Sequence, residues 1–246
     1  MKTLQRIVAL LIAAIIIIAI IWLVRAPKVV IPPAEPVTTA PVAEVRPIDL
    51  CFYNNHKITA TTSDIAWLKA TITGNKITGE LRNIPYEKDS KVGLFDGTIL
   101  PVDALGVRKV DAIWQTRAEG MKTPEQLIIN ISSEKAEIGF GEMIDRGDGT
   151  YVYKTPDAIA SYSAIPSASC TELNERITVE QYIRDNIAML SSAKTTLGGK
   201  WYVASITLDL ITKKGTVSYE DGHSQKKAVF DYSINTENNV IITNFK

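Results

Sequence analysis

Few residues in this chain have the chemistry that catalysis requires. The chain has two histidines, His56 and His223, and an activated nucleophile needs a base beside it. His223 follows Asp221 and Gly222 at a predicted hairpin turn, and His56 lies in a polar loop, so both are interpreted as solvated turn residues. No Gly-x-Ser-x-Gly elbow occurs. The sequence therefore predicts no catalytic residue and no cofactor-binding residue.

Two short motifs resemble ligand-binding loops without matching them. Residues 145–149 read Asp-Arg-Gly-Asp-Gly, but they lack the alternating acidic residues and the final Glu of a calcium loop. This segment also contains an Arg-Gly-Asp tripeptide, a short motif that recurs by chance. Residues 198–200, Gly-Gly-Lys, lack the first Gly and the Ser or Thr of a phosphate loop. We predict a turn at the first motif, a helix stop at the second, and no metal site.

Carboxylates and tryptophans leave two further hypotheses open. Glycoside hydrolysis uses two carboxylates that flank the scissile bond, and Glu119 and Glu142 would have to meet in one groove to do this. Trp67, Trp114 and Trp201 lie on predicted strands, where they could stack on a sugar ring or pack in the core. Core packing is the favoured interpretation because tryptophan buries a large apolar area.

The two cysteines, Cys51 and Cys170, bracket a long β-rich segment. A disulfide between them would tie the two ends of that segment together, which constrains the unfolded chain. The alternative is two unrelated buried thiols. The bracketing position favours a disulfide in an oxidising compartment. No Cys-x-x-Cys motif occurs, so the predicted bond is structural.

The strongest pattern in the chain is an apolar run at residues 7–24, which has no charge and contains eight isoleucines. About 20 apolar residues span the hydrocarbon core of a bilayer. A cleaved signal peptide usually has a shorter apolar region of roughly 7–15 residues that ends in small residues, whereas this run ends in Trp22, Leu23 and Val24. The sequence predicts an uncleaved membrane anchor over residues 1–25, which contacts the lipid bilayer through residues 7–24.

A proline-rich linker is predicted at residues 26–47, which hold six of the eleven prolines. Such a segment favours extended polyproline II and would reach roughly 70 Å when fully extended. It is interpreted as a stalk or as a tether without a required length. Lys2 and Arg6 precede the apolar run, and Arg25 and Lys28 follow it. Because the basic residues on the two sides are nearly balanced, they give little indication of the orientation of the anchor in the membrane. The linker and the cysteines favour C-terminal domains outside the cytoplasm.

Residues 48–170 are predicted to form an all-β domain, because apolar residues there recur with a period of two. We expect an antiparallel meander that closes into a barrel or packs as a sandwich. Gly139 and Gly141 predict a bulge or a close backbone approach within one of the strands. The predicted strands cover residues 65–73, 77–84, 94–99, 112–118, 127–131, 136–144 and 150–153.

Residues 172–246 are predicted to form a small α+β domain with one helix and four antiparallel strands. Thr178 and Gln181 have the spacing of a capping box, and apolar residues recur at helical spacing up to residues 191–192. We therefore expect a helix of about 12 residues that begins at Thr178. Residues 212–215 are predicted to be a hairpin loop. The predicted strands cover residues 201–210, 216–219, 226–234 and 240–245. In the first of them, one face is expected to carry Tyr202, Ala204, Ile206, Leu208 and Leu210.

Two resemblances follow from this order of elements. One helix followed by a four-stranded meander resembles the cystatin-like arrangement over about 70 residues of the chain, in topology alone. The Gln-x-Val-x-Gly motif of cystatins is absent, so the resemblance implies no inhibitory activity. The whole layout of anchor, linker, β domain and α+β domain is similar to uncharacterised single-pass envelope proteins of bacteria. This second resemblance implies a location and an architecture.

Charge and composition exclude some classes of function. The 27 basic and 27 acidic residues give no net charge, and removing residues 1–25 leaves a formal charge of −3. Nucleic acid is therefore not an expected partner. The first hypothesis is a membrane-anchored extracytoplasmic binding or scaffold protein of the cell envelope, with a protein or an envelope polymer as partner. The alternatives are a lipocalin-like carrier or sensor of a small apolar ligand, and an envelope hydrolase with paired carboxylates.

Overall fold

A computed structural model of the chain describes residues 46–59, 63–85, 89–118 and 120–246. The anchor predicted at residues 7–24 and most of the predicted linker lie outside this part of the chain. Among the described residues, no helix is both long enough and apolar enough to cross a bilayer. The transmembrane anchor therefore stays a prediction.

The larger of two sheets is an antiparallel meander, in agreement with the alternating sequence pattern. Strands β1 to β6 each pair with the next strand along the chain, and β10 pairs with β7. The short β8 and β9 form a hairpin that touches β6 through one parallel bridge between Tyr151 and Glu125. The strands are β1 (Ile48–Lys57), β2 (Ser63–Thr73), β3 (Lys76–Ile84), β4 (Lys91–Ile99), β5 (Arg108–Ala118), β6 (Met121–Ile131), β7 (Lys135–Phe140), β8 (Met143–Asp145), β9 (Tyr151–Tyr153) and β10 (Ser161–Pro166).

The sequence pattern predicts neither β1 nor β10, and it merges β7 with β8. The single strand expected over residues 136–144 is wrong, because the chain leaves the sheet after Phe140. The close approach predicted at Gly141 is found there: a Cβ on this residue would lie 3.3 Å from Tyr153 Cδ1. β10 has only one buried residue, Ile165. A short strand with one buried side chain carries too little periodicity to be recognised.

The two ends of this sheet meet. Phe52 of β1 forms an antiparallel bridge with Ser167, just after β10, and the amide of Ala168 donates to the carbonyl of Cys51 at 2.9 Å. The sulfur atoms of Cys51 and Cys170 lie 2.09 Å apart, which is a disulfide distance. The pairing that the sequence predicts thus joins the first strand to the segment that follows the last one.

Alternate residues of β2 to β7 point into one apolar core. Leu68, Ile77, Val110 and Ile129 are fully buried there, and the strand period of two places each on the same face as its buried neighbours. Burial of the tryptophans supports the core-packing interpretation, because Trp67, Trp114 and Trp201 are at most 7% exposed. The core consists of Phe52, Leu68, Ala70, Ile72, Ile77, Leu81, Phe95, Ile99, Val110, Ala112, Trp114, Leu127, Ile129, Ile131, Ala136, Ile138 and Ile165.

Helix α1 (Cys170–Leu190) has 21 residues and begins two turns before the predicted start. Ser169 is the N-cap, and its hydroxyl accepts a hydrogen bond from the amide of Glu172. Thr178 lies inside the helix, where its hydroxyl donates to the carbonyl of Asn174 at 2.8 Å. The prediction of a start at Thr178 is wrong because a threonine hydroxyl can bond the preceding turn within a helix as well as cap one. Ser169 and Glu172 have the capping-box spacing themselves.

The smaller sheet is a four-stranded antiparallel meander that covers one side of α1. Val179, Ile183 and Ile187 of the helix pack against it, in agreement with the helix and four strands that the sequence predicts. The loop expected at residues 212–215 is wrong in its bounds, because β12 already begins at Lys214. The strands are β11 (Tyr202–Asp209), β12 (Lys214–Glu220), β13 (Gln225–Ile234) and β14 (Val240–Thr243).

A β-bulge changes which side chains of β11 face the helix. The register shifts between Val203 and Ser205, so the alternation reverses there. Ile206 and Leu208 face the core as predicted, whereas Tyr202 is 63% exposed. The expectation that Tyr202 shares a face with Ile206 is therefore wrong, since a sequence pattern does not reveal an extra residue in a strand.

The opposite side of α1 packs on the outer surface of β1 and β2. Leu173 is buried against Cys51 and Trp67. The guanidinium of Arg176 lies 4.4 Å from the ring centre of Tyr53, which is within the range of a cation–π contact. The helix thus contacts both sheets, and the described residues form one compact unit. The domain boundary predicted near residue 170 stays a prediction.

Candidate functional site

A pocket of about 280 Å³ lies at one end of the larger sheet, where β3 ends and β4 begins. Side chains from strands all around the meander line it, because each strand sends its inward-facing residues towards the same interior. The other end of this interior is filled by buried residues that include Ile72, Ile77 and Ile99. The structure therefore has one packed end and one open end.

The floor of the pocket is apolar. Leu81, Trp114 and Leu127 line it, and each is at most 5% exposed. The indole Nε1 of Trp114 donates to the carbonyl of Gly93 at 3.1 Å, so the one polar atom of this ring is satisfied within the protein. A Cβ on Gly93 would lie 2.0 Å from the carbonyl oxygen of Gln115. Glycine is therefore required where β4 lies close to β5.

One wall of the pocket carries an ion pair. Lys91 Nζ lies 2.7 Å and 2.8 Å from the two carboxylate oxygens of Glu125. Glu125 is well buried, with 14% of its side chain exposed, whereas Lys91 is 41% exposed. The hydroxyl of Thr116 lies 3.4 Å from Glu125 Oε1. This wall offers a ligand both a donor and an acceptor beside the apolar floor.

Tyr153 of the β8–β9 hairpin lines the pocket at the open end of the larger sheet. The phenol donates to the carbonyl of Gly139 at 2.6 Å, and the amide of Tyr153 donates to Gln126 Oε1 at 3.1 Å. Burial raises the pKa of Tyr153 to about 12, with smaller contributions from Glu125 and Tyr162. The phenol is therefore neutral at physiological pH and holds the hairpin beside the pocket.

Sequence reasoning missed the ion pair, although a signal for it exists. Glu125 has the strand phase of the buried residues Leu127 and Ile129, and Lys91 has the phase of Phe95. A charged residue in phase with buried apolar residues points into the interior. Lys91 is the first residue of β4 and Glu125 lies within β6, so this pattern could have indicated that these two side chains point into the interior.

The loop at residues 145–149 is a turn, as predicted. Asp145 Oδ1 accepts hydrogen bonds from the amides of Gly147 at 2.7 Å and Gly149 at 3.3 Å. The Arg146 guanidinium and the Thr150 amide bind the carboxylate of Asp148 and lower its pKa to about 2. Arg146 and Asp148 therefore bind each other. No group of three or more His, Cys, Asp or Glu side chains in the described part of the chain could hold a metal ion.

Neither histidine lies in the pocket. His56 is exposed near the end of β1, and His223 is exposed in the turn after β12. The buried carboxylate of Asp221 organises that turn, since it accepts hydrogen bonds from the amides of Thr196, His223 and Ser224. These bonds, above all the one from Thr196, hold the pKa of Asp221 well below its ordinary value.

The convergence of Glu119 and Glu142 that the hydrolase hypothesis needs stays a prediction. Glu142 is exposed and lies 3.0 Å from Lys154, and Glu119 lies outside the described residues. Asp89 and Glu125 both line the pocket, but Glu125 is held by Lys91. Gly198 is the last residue of a single 3-10 turn, Thr196–Gly198. Residues 198–200 lead into strand β11 rather than into a helix, so they do not have the position of a phosphate loop.

A cluster of charged residues is buried where α1 meets the first sheet. Arg176 Nη1 lies 3.9 Å from Glu180 Oε1, and Arg184 Nη1 donates to the carbonyl of Val203 at 3.1 Å. Burial raises the pKa of Glu180, while Arg176, Arg184 and Arg82 oppose this shift. This cluster connects the helix to both sheets and is interpreted as structural.

No protein family, curated protein or solved structure matches the chain. The resemblances to envelope proteins and to the cystatin-like topology stay predictions.

Proposed function

We propose that this protein binds a small, mainly apolar molecule at the open end of an eight-stranded barrel. The order β1-β2-β3-β4-β5-β6-β7-β10, with Phe52 bridged to Ser167, supports closure of the sheet into such a barrel. Barrels of about eight strands have interiors that side chains fill or that hold one small ligand. In the proposed barrel, side chains fill one end, and the pocket at the other end can hold a small ligand.

The observation that carries the proposal is the ion pair beside an apolar floor in the open end. Binding pockets are lined mainly by apolar side chains, with a few polar groups that fix the orientation of the ligand. Leu81, Trp114 and Leu127 would contact the apolar part of the ligand, while Lys91 and Glu125 would contact its polar group. The ligand class is therefore a small amphiphile.

The volume of the pocket limits the size of the ligand. An apolar cavity of roughly 150 Å³ is enough for benzene, and this pocket is about 280 Å³. Drug-sized ligands occupy pockets of roughly 300–1,000 Å³. The expected occupant is thus smaller than a drug molecule, of the size of a short fatty acid or an aromatic metabolite.

The membrane anchor and the extracytoplasmic location complete the proposal. The apolar run at residues 7–24 supports a single-pass signal anchor. The disulfide distance between Cys51 and Cys170 supports an oxidising compartment, because such bonds persist there. The protein would hold its ligand outside the cytoplasm, near the membrane, as a carrier or a sensor.

A scaffold role at the cell envelope is the second candidate. The packed end of the barrel supports it, because the buried core from Ile72 to Val110 leaves that end without a ligand cavity. A rigid body of this kind suits a protein or an envelope polymer as partner. The hydrolase hypothesis has weaker support, since Glu142 is paired with Lys154.

The test is calorimetric titration of the full-length protein in detergent with hexanoate, hexylamine and hexanol. Ala66 lines the pocket, so Ala66→Leu should fill part of it and weaken binding by about tenfold, because lost contacts of about 1.4 kcal/mol change affinity by that factor. Ala164→Leu is the matched control, since Ala164 is exposed on β10. It should leave binding unchanged.

The three probes also identify the polar group that the ion pair accepts. If hexanoate binds most tightly, the polar group of the ligand is an anion that binds Lys91. If hexylamine binds most tightly, the polar group is a cation that binds Glu125. If no probe binds saturably, or if Ala66→Leu and Ala164→Leu bind equally well, the proposed pocket is not the binding site.

A further inference from the structure

A second cleft of about 500 Å³ lies between the ends of β1 to β4 and the outer face of the smaller sheet. It is separate from the barrel pocket, and Pro85 is the one residue that lines both. Hydroxyl and basic side chains make up most of its lining, and apolar side chains make up the rest. Its chemistry therefore differs from that of the apolar floor described above.

Three cations line this cleft, one from each neighbouring element. Lys57 lies at the end of β1, Arg184 on α1 and Lys227 on β13, and no carboxylate is among the described residues that line it. Lys57 and Lys227 are exposed and form no ion pair with any described residue. Arg184 is held in place by its hydrogen bond to Val203. The cleft is thus locally positive, although the outer part of the chain has a formal charge of −3.

Four hydroxyls form a regular array on the floor of the cleft. Ser205 lies directly opposite Ser218, and Thr207 lies directly opposite Thr216. All four lie on the face of β11 and β12 that points away from the helix, because Ile206 and Val217 between them face the core. Among the described residues, only Ser218 of these four has a side-chain hydrogen bond, a long one of 3.4 Å to the carbonyl of Lys226.

We infer that this cleft binds a polyhydroxylated anion, a sugar or polyol that carries a phosphate or a carboxylate. Serine and threonine hydroxyls both donate and accept hydrogen bonds, so an array of four matches the hydroxyls of a sugar. Basic side chains form charge-assisted hydrogen bonds with carboxylates and phosphates. The exposed lysines supply the charge, and the strands fix the positions of the hydroxyls. This site is independent of the amphiphile pocket.

The test titrates the full-length protein in detergent with glucose 6-phosphate, glucuronate, glucose and inorganic phosphate at low ionic strength. We expect glucose 6-phosphate or glucuronate, or both, to bind more tightly than glucose and phosphate, because each combines the charge with the hydroxyls. The better of the two acidic sugars identifies the anionic group. Binding should weaken as salt is added, because salt screens exposed charges.

Three double variants test this site, and the two lysine variants separate it from general charge attraction. Lys57→Gln with Lys227→Gln should weaken binding of the acidic sugar by about tenfold, which corresponds to about 1.4 kcal/mol. Lys122→Gln with Lys194→Gln removes the same charge from exposed positions outside the cleft and should leave affinity within about twofold. Thr207→Val with Thr216→Val keeps the side-chain shape and should weaken glucose 6-phosphate binding more than phosphate binding.

Three results would overturn the inference. One is the absence of saturable binding of both acidic sugars. Another is equal affinity for inorganic phosphate and glucose 6-phosphate, which would show that the hydroxyl array is not used. The third is an equal loss in both lysine double variants, because the attraction would then come from the charge of the whole protein.

Discussion

Buried tyrosines in this protein differ in whether their hydroxyls have partners. Tyr232 Oη donates to Glu175 Oε1 at 2.8 Å, and Lys213 Nζ binds the same carboxylate at 2.6 Å. Burial, followed by the bond to Glu175, raises the pKa of Tyr232 far above its ordinary value. Tyr53 Oη and Asn55 Oδ1 are also buried. Asn55 is close enough to oppose the rise in the pKa of Tyr53 that burial causes, but within the described residues neither atom makes a hydrogen bond of acceptable geometry.

This difference predicts opposite outcomes for the same substitution at two sites. Tyr232→Phe should lower the free energy of unfolding by about 1–2 kcal/mol, because a buried hydrogen bond is lost and Glu175 loses a donor. Tyr53→Phe should leave stability unchanged or raise it by up to about 1 kcal/mol, since an unpaired buried hydroxyl is removed. The phenylalanine ring can keep the cation–π contact with Arg176.

Urea denaturation of both variants, followed by circular dichroism, measures the two effects. Each variant is the control for the other, because the chemical change is identical. An equal loss of stability at both positions would show that Tyr53 Oη has a partner in the folded protein, such as a buried water molecule.

At the scale of single elements, short loops are held by carboxylates that accept backbone and side-chain hydrogen bonds. In the β8–β9 turn, Asp145 binds the amides of Gly147 and Gly149, and Arg146 Nη2 lies 2.6 Å from Asp148 Oδ2. Gly147 and Gly149 have φ values of 98° and 81°, which glycine adopts without steric strain. The turn is therefore determined locally, which explains why the sequence predicts it.

The β8–β9 turn should respond to acid in a defined pH range. The pKa of Asp148 is lowered from 3.8 to about 2, with the hydrogen bond from Arg146 as the largest cause. A lowered pKa means that the ionised carboxylate stabilises the turn above the ordinary pKa, and this stabilisation is lost as pH falls towards about 2. Arg146→Gln should raise the pKa of Asp148 towards 3.8, the ordinary value.

Carboxyl-carbon NMR titration of Asp148 measures this pKa directly in both proteins. Lys154→Gln is the control, because it removes a nearby cation that pairs with Glu142 rather than with Asp148. An unchanged pKa of Asp148 in Arg146→Gln would show that the backbone amide of Thr150 alone lowers it.

At the scale of the whole molecule, the cysteine pair joins the start of the larger sheet to the start of the helix. Cys51 and Cys170 are 119 residues apart in sequence, and the segment between them contains all of β2 to β10. Cys51 is 3% exposed and contacts Leu173 of the helix. The pair therefore holds together the edge strand β1, the segment after β10 and α1.

Reduction of this pair should destabilise the protein by about 2–5 kcal/mol, because the cross-link restricts a long loop of the unfolded chain. Urea denaturation with and without reductant measures the effect. The variant with Cys51→Ser and Cys170→Ser is the control and should be insensitive to reductant. If the wild-type protein is equally insensitive, the two sulfur atoms are not bonded in solution.

Much of the fold is contained in local sequence patterns. Alternation along β2 to β6 predicts the larger meander, helical spacing predicts most of α1, and turn residues such as Asp221 and Gly222 predict the hairpins. The bracketing positions of Cys51 and Cys170 predict their pairing. These features depend on neighbours along the chain, or on the two ends of one segment, so they can be predicted from the sequence.

Other features arise only when distant segments meet. β10 is a strand because β7 pairs with it, and helix α1 extends back to Cys170, where Leu173 packs against Cys51 and Trp67. The bulge in β11 reverses the alternation of its side chains, so periodicity alone assigns Tyr202 to the wrong face of the strand. In each case tertiary contacts decide what weak local preferences leave open.

The sequence by itself determined the order of most elements, the alternation along β2 to β6, the cysteine pair and the apolar run at residues 7–24. Only the tertiary structure brought Lys91 to Glu125, which are 34 residues apart, and placed Lys57, Arg184 and Lys227 around one cleft. The physical reason is that periodicity tells which face of a strand is buried, whereas the closure and packing of the sheets decide which residues from distant strands share a pocket.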